Sequence, residues 1–304
     1  MPATTLALCI SDVHLSDKPP RMRAGEDDWI SVQLSYFDQL AKLWDETGCP
    51  NILIAGDIFD KPSPSLQLVN RTAEKLKDLF PPEKVNVIYG NHDLPYHRLD
   101  NKDRCGLFTL AQTGAVHDLE QFGGKMYETK AGKVWVQPFS WGKPFSKPIT
   151  GTTDYTIAVV HKYAWVTKDQ AYTGAGESGS IQNHGFSDNF DFTHYGDNHQ
   201  QWVEGSVVNP GAFIRRTKTD LGMEPAVYAL TDQGVERHAL DTEPDKYDEL
   251  EILLTQVEFD TGLKSALESV QGDVQDIPTL VRSLLSDENS PEGELILNTI
   301  QECM

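Results

Sequence analysis

The chain has 304 residues, 39% of them hydrophobic and 24% charged, which leaves room for one large core and a small addition. A formal net charge of −20 excludes broad attraction of polyanions to the whole surface, although bound cations or a local basic patch can reverse the sign at one place. No apolar run approaches the ~18 residues of a membrane helix; the N-terminal MPATTLALCISD lacks the basic start of a signal peptide, and Cys9, Cys49, Cys105 and Cys303 form no CxxC pair, so reduced thiols and a cytoplasmic setting are expected.

The stretch TLALCIS predicts a first strand, and Ile30, Leu34, Phe37, Ala41 and Trp44 recur at the spacing of a helix face. NILIAG predicts a second strand. A second helix carries Leu66, Val69, Ala73, Leu76 and Leu79, with Pro62 and Pro64 ahead of it, where a missing N–H is tolerated. KVNVIYG predicts a third strand, and such a β-α-β-α-β series implies a parallel sheet with right-handed crossovers. Beyond Gly106 shorter strands are expected at KMYE, KVWVQP, YTIAVVH, DFTHYG, SVVNPG and AVYAL. Between them TKDQAYTGAGESGSIQNHGFSDN is rich in Gly and Ser, without apolar period, and reads as a functional or mobile loop. From Asp241 onward 16 acidic residues face 3 basic ones, so this stretch carries −13 of the net charge. Modest helical patterns there (LKSALESV, IPTLVRSLL, ELILNTIQEC) predict a small, mainly helical appendage over 243–304.

Each strand of the first half ends in residues that bind metals. The first runs into Asp12-Val13-His14, where two side chains two apart on a strand point the same way. The second ends in Gly56-Asp57-Ile58-Phe59-Asp60 and the third in Gly90-Asn91-His92-Asp93. The later strand TIAVV ends at His161, and FTHYGDNHQ delivers Asp197 and His199. Open α/β sheets place ligand sites beyond the carboxyl ends of their strands, and glycines let the chain turn there. Carboxylate, amide oxygen and imidazole together suit Mn²⁺, Fe²⁺ or Zn²⁺ better than Ca²⁺, and so many ligands indicate two ions.

These blocks, in this order, resemble the calcineurin-like metallophosphoesterase superfamily, whose signature is DxH, GDxxD, GNHD, a lone His and GHxH; the likeness covers roughly residues 5 to 240. The resemblance implies an α/β sandwich of two mixed β-sheets flanked by helices, with a catalytic domain over 1–242. It implies that Asp12, His14 and His199 bind one divalent ion, that Asp57 bridges, and that Asn91 and His161 hold the second. His92 would protonate the leaving oxygen or steady the transition state, while Asp60 and Asp93 orient ligands from behind. Such a two-metal site implies attack of a metal-activated hydroxide on phosphorus. Asp197 departs from the pattern, since it stands where the signature has a histidine. As an oxygen ligand it would favour Mn²⁺ or Mg²⁺ over Zn²⁺; if it is too short to reach, the second site is weakened or completed by water. Manganese is the expected cofactor, with Mg, Fe or Zn as alternatives.

The segment NPGAFIRRTK, residues 209 to 218, reads equally as a turn with a solvated basic face or as a likeness to the PGS-x-x-RRT block of SbcD-type repair exonuclease subunits. SDVHL and GDIFDK resemble the same subfamily. The likeness implies DNA as substrate, Arg215 and Arg216 near flanking phosphates, and a coiled-coil ATPase partner of the SbcC type. The acidic 243–304 would then dock a partner or regulate. Small phosphomonoesters or nucleotide diesters are the alternative substrates, and a non-catalytic interaction protein with a degraded second metal site is the alternative of another class. His97, on the loop after His92, is a candidate for substrate contact. Taken singly, His97, His117, His184, His194 and His238 read as surface or internally satisfied histidines. Trp135, Phe139, Trp141 and Trp165 could stack on bases, but packing is the commoner role for such residues.

Overall fold

The computed structural model describes residues 3–149, 151–172, 175–184, 189–217 and 220–247. Its first half runs β1 (Thr5–Ile10), α1 (Trp29–Thr47), β2 (Ile52–Ile54), α2 (Leu66–Leu79), β3 (Val85–Val87), α3 (Gly106–Gln112), β4 (His117–Asp118) and α4 (Leu119–Phe122). Helix α1 starts where the Asp28 carboxylate accepts the Ser31 N–H, and it stops at Gly48, whose φ of 59° belongs to the left-handed region. Ser65 caps α2 in the same way through Leu68 N–H. The expected stripe of α1 is buried at Ile30, Leu34, Phe37 and Ala41.

The second half runs β5 (Lys125–Thr129), β6 (Gly132–Phe139), β7 (Tyr155–His161), β8 (Phe192–Gly196), β9 (Trp202–Glu204), β10 (Val207–Asn209), β11 (Ala226–Thr231) and β12 (Gly234–Ala239). Two six-stranded sheets result, ordered β12-β11-β1-β2-β3-β4 and β5-β6-β7-β8-β10-β9. Strands β1 to β4 are mutually parallel, and β11 joins β1 antiparallel. In the other sheet β6, β7, β8 and β10 are parallel, with antiparallel β5 and β9 at the edges. Both sheets are therefore mixed, as expected.

Strand alternation assigns each side chain to a layer. Cys9 and Leu53 join Val134, Val136, Ile157 and Val159 between the sheets, whereas Leu8, Ile10, Ile52 and Ile54 turn to α1 and α2. On the far face of the second sheet Ala158 and Val160 pack under Phe139, Trp165's neighbour Ala164, Ile181 and Phe190. Strands buried on both faces lack a polar side, which is why β1, β2 and β7 read as continuous apolar runs. Phe139 and Trp165 are buried, in keeping with packing, and Trp135 and Trp141 are half-buried. Cys9, Cys49 and Cys105 are buried free thiols.

Residues 3–19 and 27–245, where described, make up one compact unit. A second unit contains Pro20–Glu26 and Lys246–Tyr247; in it Arg23 pairs with Glu26 at 2.7 Å and lies over the Tyr247 ring, and Glu26 accepts the Lys246 N–H. The helical appendage expected over 243–304 lies, beyond Tyr247, outside the described residues. Among the described residues no helix is long and apolar enough to cross a membrane.

Candidate metal centre

The exits of β1, β2, β3, β7 and β8 meet along one edge of the sandwich and bring seven side chains together. His14 Nε2 faces His199 Nε2 at 3.1 Å and Asp57 Oδ2 at 3.6 Å. His161 Nε2 lies 2.9 Å from Asn91 Oδ1, 3.4 Å from Asp57 Oδ2 and 3.9 Å from Asp197 Oδ1. Three groups hold ligand-type atoms close together: Asp12 with His14 and His199, Asp12 with Asp57 and His161, and His14 with Asp60 and His92. Donor atoms held at about 2.1 Å from one ion stand roughly 3 to 4 Å apart, so these separations suit shared cations. Asp197 falls within that range of His161.

The convergence does not come from strand alternation, and this corrects the expectation for Asp12 and His14. Strand β1 ends at Ile10, and both residues adopt left-handed backbone, with φ of 49° and 50°. Asp57 at 52° and Asp197 at 86° do the same. Such conformations are uncommon for residues with a Cβ and cost about 1–3 kcal/mol each, and they cluster where function requires them. Backbone contacts hold them: His14 N–H donates to the Asp57 carbonyl, Asp197 N–H to the Asp12 carboxylate, and Asp93 accepts the N–H groups of Asp57, Phe59 and Gly90. Two glycines permit the close approach. A Cβ on Gly56 would stand 2.5 Å from His161 Nδ1, and one on Gly90 would overlap the Asp57 carboxylate.

Each inward imidazole is backed by an oxygen. His161 Nδ1–H donates to the Ala55 carbonyl at 2.6 Å, which leaves a lone pair on Nε2. His14 Nδ1 lies 3.7 Å from Asp60, and His199 Nδ1 lies 3.7 Å from Asp220. The Ala55 contact is the kind that orients a metal-binding histidine, whereas the two 3.7 Å separations are ion-pair distances longer than a hydrogen bond. With three Nε2 atoms and the oxygens of Asp12, Asp57, Asn91 and Asp197 aimed at one another, the donor set fits a pair of divalent cations.

The titration of these groups points the same way. Burial raises the Asp12 carboxyl to about 6 despite the imidazoles beside it, and burial lowers His14 to about 3. Burial also raises Asp197, against the pull of His161. For Asp57 burial is outweighed by His161 and His14, which hold it well below the usual carboxylate range. For His161 burial is outweighed by Asp57, Asp197 and Asp12, which push it up. Buried carboxylates and imidazoles thus perturb one another strongly, as such groups do at functional sites.

Around the centre, His92 N–H donates to Asp57 Oδ1, and its ring meets His14 edge-on at 4.7 Å. Its Nδ1–H donates to the Asp60 carbonyl at 2.9 Å, leaving Nε2 for other partners. Asp60 also binds Arg216 at 2.8 Å, so Arg216, with 13% of its side chain exposed, sits beside the centre and not on a solvated face. Arg215 instead donates to the Met223 carbonyl and the Thr242 hydroxyl. His97 is exposed on the same loop as His92 and donates through Nδ1 to the Asn91 carbonyl. Asp220, which no motif marks, was missed by the sequence reading. Its Oδ2 accepts from Arg216 N–H, Thr217 N–H and the Thr217 hydroxyl, and its Oδ1 backs His199. His194 also departs from expectation: it is fully buried, yet neither ring nitrogen finds a hydrogen-bond partner.

No curated protein matches the chain. Solved structures align with it at low identity. An archaeal phosphodiesterase is 13% identical over 77% of this chain and 99% of that one, with a TM-score of 0.38. A candidate 5′-nucleotidase from Staphylococcus aureus is 15% identical over 82% of this chain and 57% of that one (TM-score 0.48). The calcineurin-like phosphoesterase YfkN from Bacillus subtilis is 12% identical over 78% and 89% (TM-score 0.43). The family model for the calcineurin-like phosphoesterases matches residues 6–205, a span that contains all seven converging side chains. That match over most of the chain, together with the two mixed sheets, shows that the chain belongs to the calcineurin-like phosphoesterase family.

Proposed function

We propose that the protein is a phosphodiesterase that uses two divalent ions, manganese foremost, to hydrolyse DNA. Asp12, His14 and His199 would hold one ion, Asn91, His161 and Asp197 the other, with Asp57 between them. One observation carries the choice of a diester: Asp197 brings a third carboxylate to the set formed with Asp12 and Asp57. Three ligand carboxylates leave two divalent ions one unit less positive than two carboxylates would, which suits the one charge of a phosphodiester better than the two of a monoester. Bound ions of this kind neutralise phosphoryl oxygens and lower the pKa of water.

The chain's own residues have separate tasks. His92, with Nδ1–H tied to the Asp60 carbonyl, would as the imidazolium carry its second proton on Nε2 and deliver it to the leaving oxygen. Asp60 steadies His14 and Arg216 together. Arg216 supplies the fixed positive charge for a phosphate flanking the scissile one. Its place beside the centre and the likeness of NPGAFIRRTK to SbcD-type subunits support DNA, and with it an ATPase partner of the SbcC type. The net charge of −20 favours a second reading, a small nucleotide or monoester substrate for which an acidic surface is no handicap.

Labelled single- and double-stranded DNA, bis(4-nitrophenyl) phosphate and 4-nitrophenyl phosphate, each with Mn²⁺, separate these readings. Cleavage of DNA and the diester is expected; activity mainly on the monoester refutes the proposal. His92→Asn should lower turnover about a hundredfold or more while two ions stay bound. Loss of metal along with activity would show His92 to be a ligand instead.

A further inference from the structure

Beside the centre lies a cavity of about 380 Å³ that none of the assigned tasks uses. His161 forms part of its wall, so the cavity opens next to the metal-binding set. Its other walls include Phe139, Trp141 and Phe145, with Lys143 and Lys162 also lining it. Phe139 and Phe145 lie nearly parallel, 26° apart with centroids 6.0 Å apart, and the Trp141 ring stands 6.3 Å from that of His161. This aromatic wall is tied to the strand exit that carries Asn91 and His92. Trp141 N–H donates to the Tyr89 carbonyl at 2.9 Å, Tyr89 N–H donates to Ser140 Oγ at 2.9 Å, and Ser140 N–H donates to Glu120.

We propose that this cavity seats one unpaired nucleobase of the substrate while the neighbouring phosphate occupies the metal centre; the inference rests on the phosphodiesterase reading above. Phe139 and Phe145 pack on one another, and the half-buried Trp141 offers a ring face for a flat aromatic group, which stacks without asking for a particular hydrogen-bond pattern. The volume falls at the low end for small-molecule pockets and suits a base, not a duplex. Exposed Lys162 places positive charge where the sugar–phosphate chain would pass, on a molecule whose net charge is −20, while Lys143 is already paired with Glu120 at 2.7 Å. A base inside a duplex must first leave its stack to enter. Single strands and frayed ends are therefore preferred over intact duplex.

The test keeps the phosphates constant and changes only the bases. Fluorescence anisotropy with Mn²⁺, in a His92→Asn background that suppresses turnover, compares an oligodeoxythymidylate with an abasic strand of equal length. Stacking of a base on an aromatic side chain is worth about ten- to a hundredfold in affinity. The thymidylate should bind tighter by at least about tenfold, Trp141→Ala should remove that preference, and Trp141→Phe should restore most of it. Equal binding of the two strands, no binding of either, or a preference untouched by Trp141→Ala overturns the proposal. Hydrolysis of bis(4-nitrophenyl) phosphate by the unaltered chain reports separately on the phosphodiesterase reading, so the two can fail independently.

Discussion

Asp197 is the residue on which the charge of the centre turns, and Asp197→Asn isolates that charge. The amide keeps the length and an oxygen donor, and its backbone suits the site, since Asn, Asp and His are the side chains most often found at positive φ such as the 86° here. The carboxylate oxygen lies 3.9 Å from His161 Nε2. Removing a unit charge about 4 Å from a divalent ion weakens their interaction by about 8 kcal/mol at an effective dielectric of about 20. Part of this is returned, because burial already raises the Asp197 carboxyl and the amide sheds that penalty while keeping an oxygen donor. A loss of at least about tenfold in affinity is expected. Calorimetric titration of Mn²⁺ should show one weakened site, while the site built from Asp12, His14 and His199 fills as before. Asp197→His, with a neutral nitrogen donor and an equally tolerated backbone, should shift the preference of the weakened site from Mn²⁺ toward Zn²⁺. If the wild type and both variants bind two ions with the same affinities, Asp197 is not a ligand, and the charge argument for a diester fails.

Three further outcomes are expected. Asp220→Asn removes the anion behind His199 and should weaken the ion held with Asp12 and His14 by about ten- to a hundredfold, read by the same titration; unchanged affinity would reduce Asp220 to a loop anchor. Burial lowers His194 to about 3, so the folded chain resists its protonation while the unfolded chain accepts a proton below about 6.5. Its contribution is complete above about 6.5 and is lost as pH falls toward 3, by on the order of 5 kcal/mol at most; denaturant curves of His194→Leu should therefore show a shallower acid loss than wild type, and parallel slopes would refute this. Gly90→Ala drives a methyl into the Asp57 carboxylate and should abolish tight binding of both ions while circular dichroism still reports a folded sandwich; retained binding of two ions would show that the Asp57 carboxylate yields without consequence.

The sheets were largely legible in the sequence because their strands are buried on both faces and read as apolar runs. Strand β12 was not: none of its residues is fully buried, and Glu236 and Arg237 carry no apolar signal. Strand β9 and helix α4, of three and four residues, are shorter than any periodicity can mark. The converging side chains were legible as motifs, each at a strand exit. Asp220 was not, since it touches His199 across 21 positions of sequence through a loop with no repeating pattern. Nor could spacing distinguish Arg215 from Arg216. One ties down the Met223 carbonyl and the other lies against Asp60, a difference set by the path of the turn after Asn209-Pro210-Gly211.

What spacing could not convey is how the exits turn. Four of the converging residues (Asp12, His14, Asp57 and Asp197) hold left-handed backbone, and no propensity favours that arrangement in a run such as SDVHL. The strain is sustained by bonds that cross between elements. Asp93, from the exit of β3, fixes the exit of β2 through Asp57 and Phe59. Asp12, from the first sheet, receives the Asp197 N–H of the second, so one carboxylate ties the two sheets at the edge where they must stay in register. The His161 ring is likewise set, by the Ala55 carbonyl. On the proposed reading, cations would meet a frame already shaped for them, and their binding energy would not be consumed in folding loops. It can instead be directed to the phosphate, where stabilisation of developing charge determines the rate.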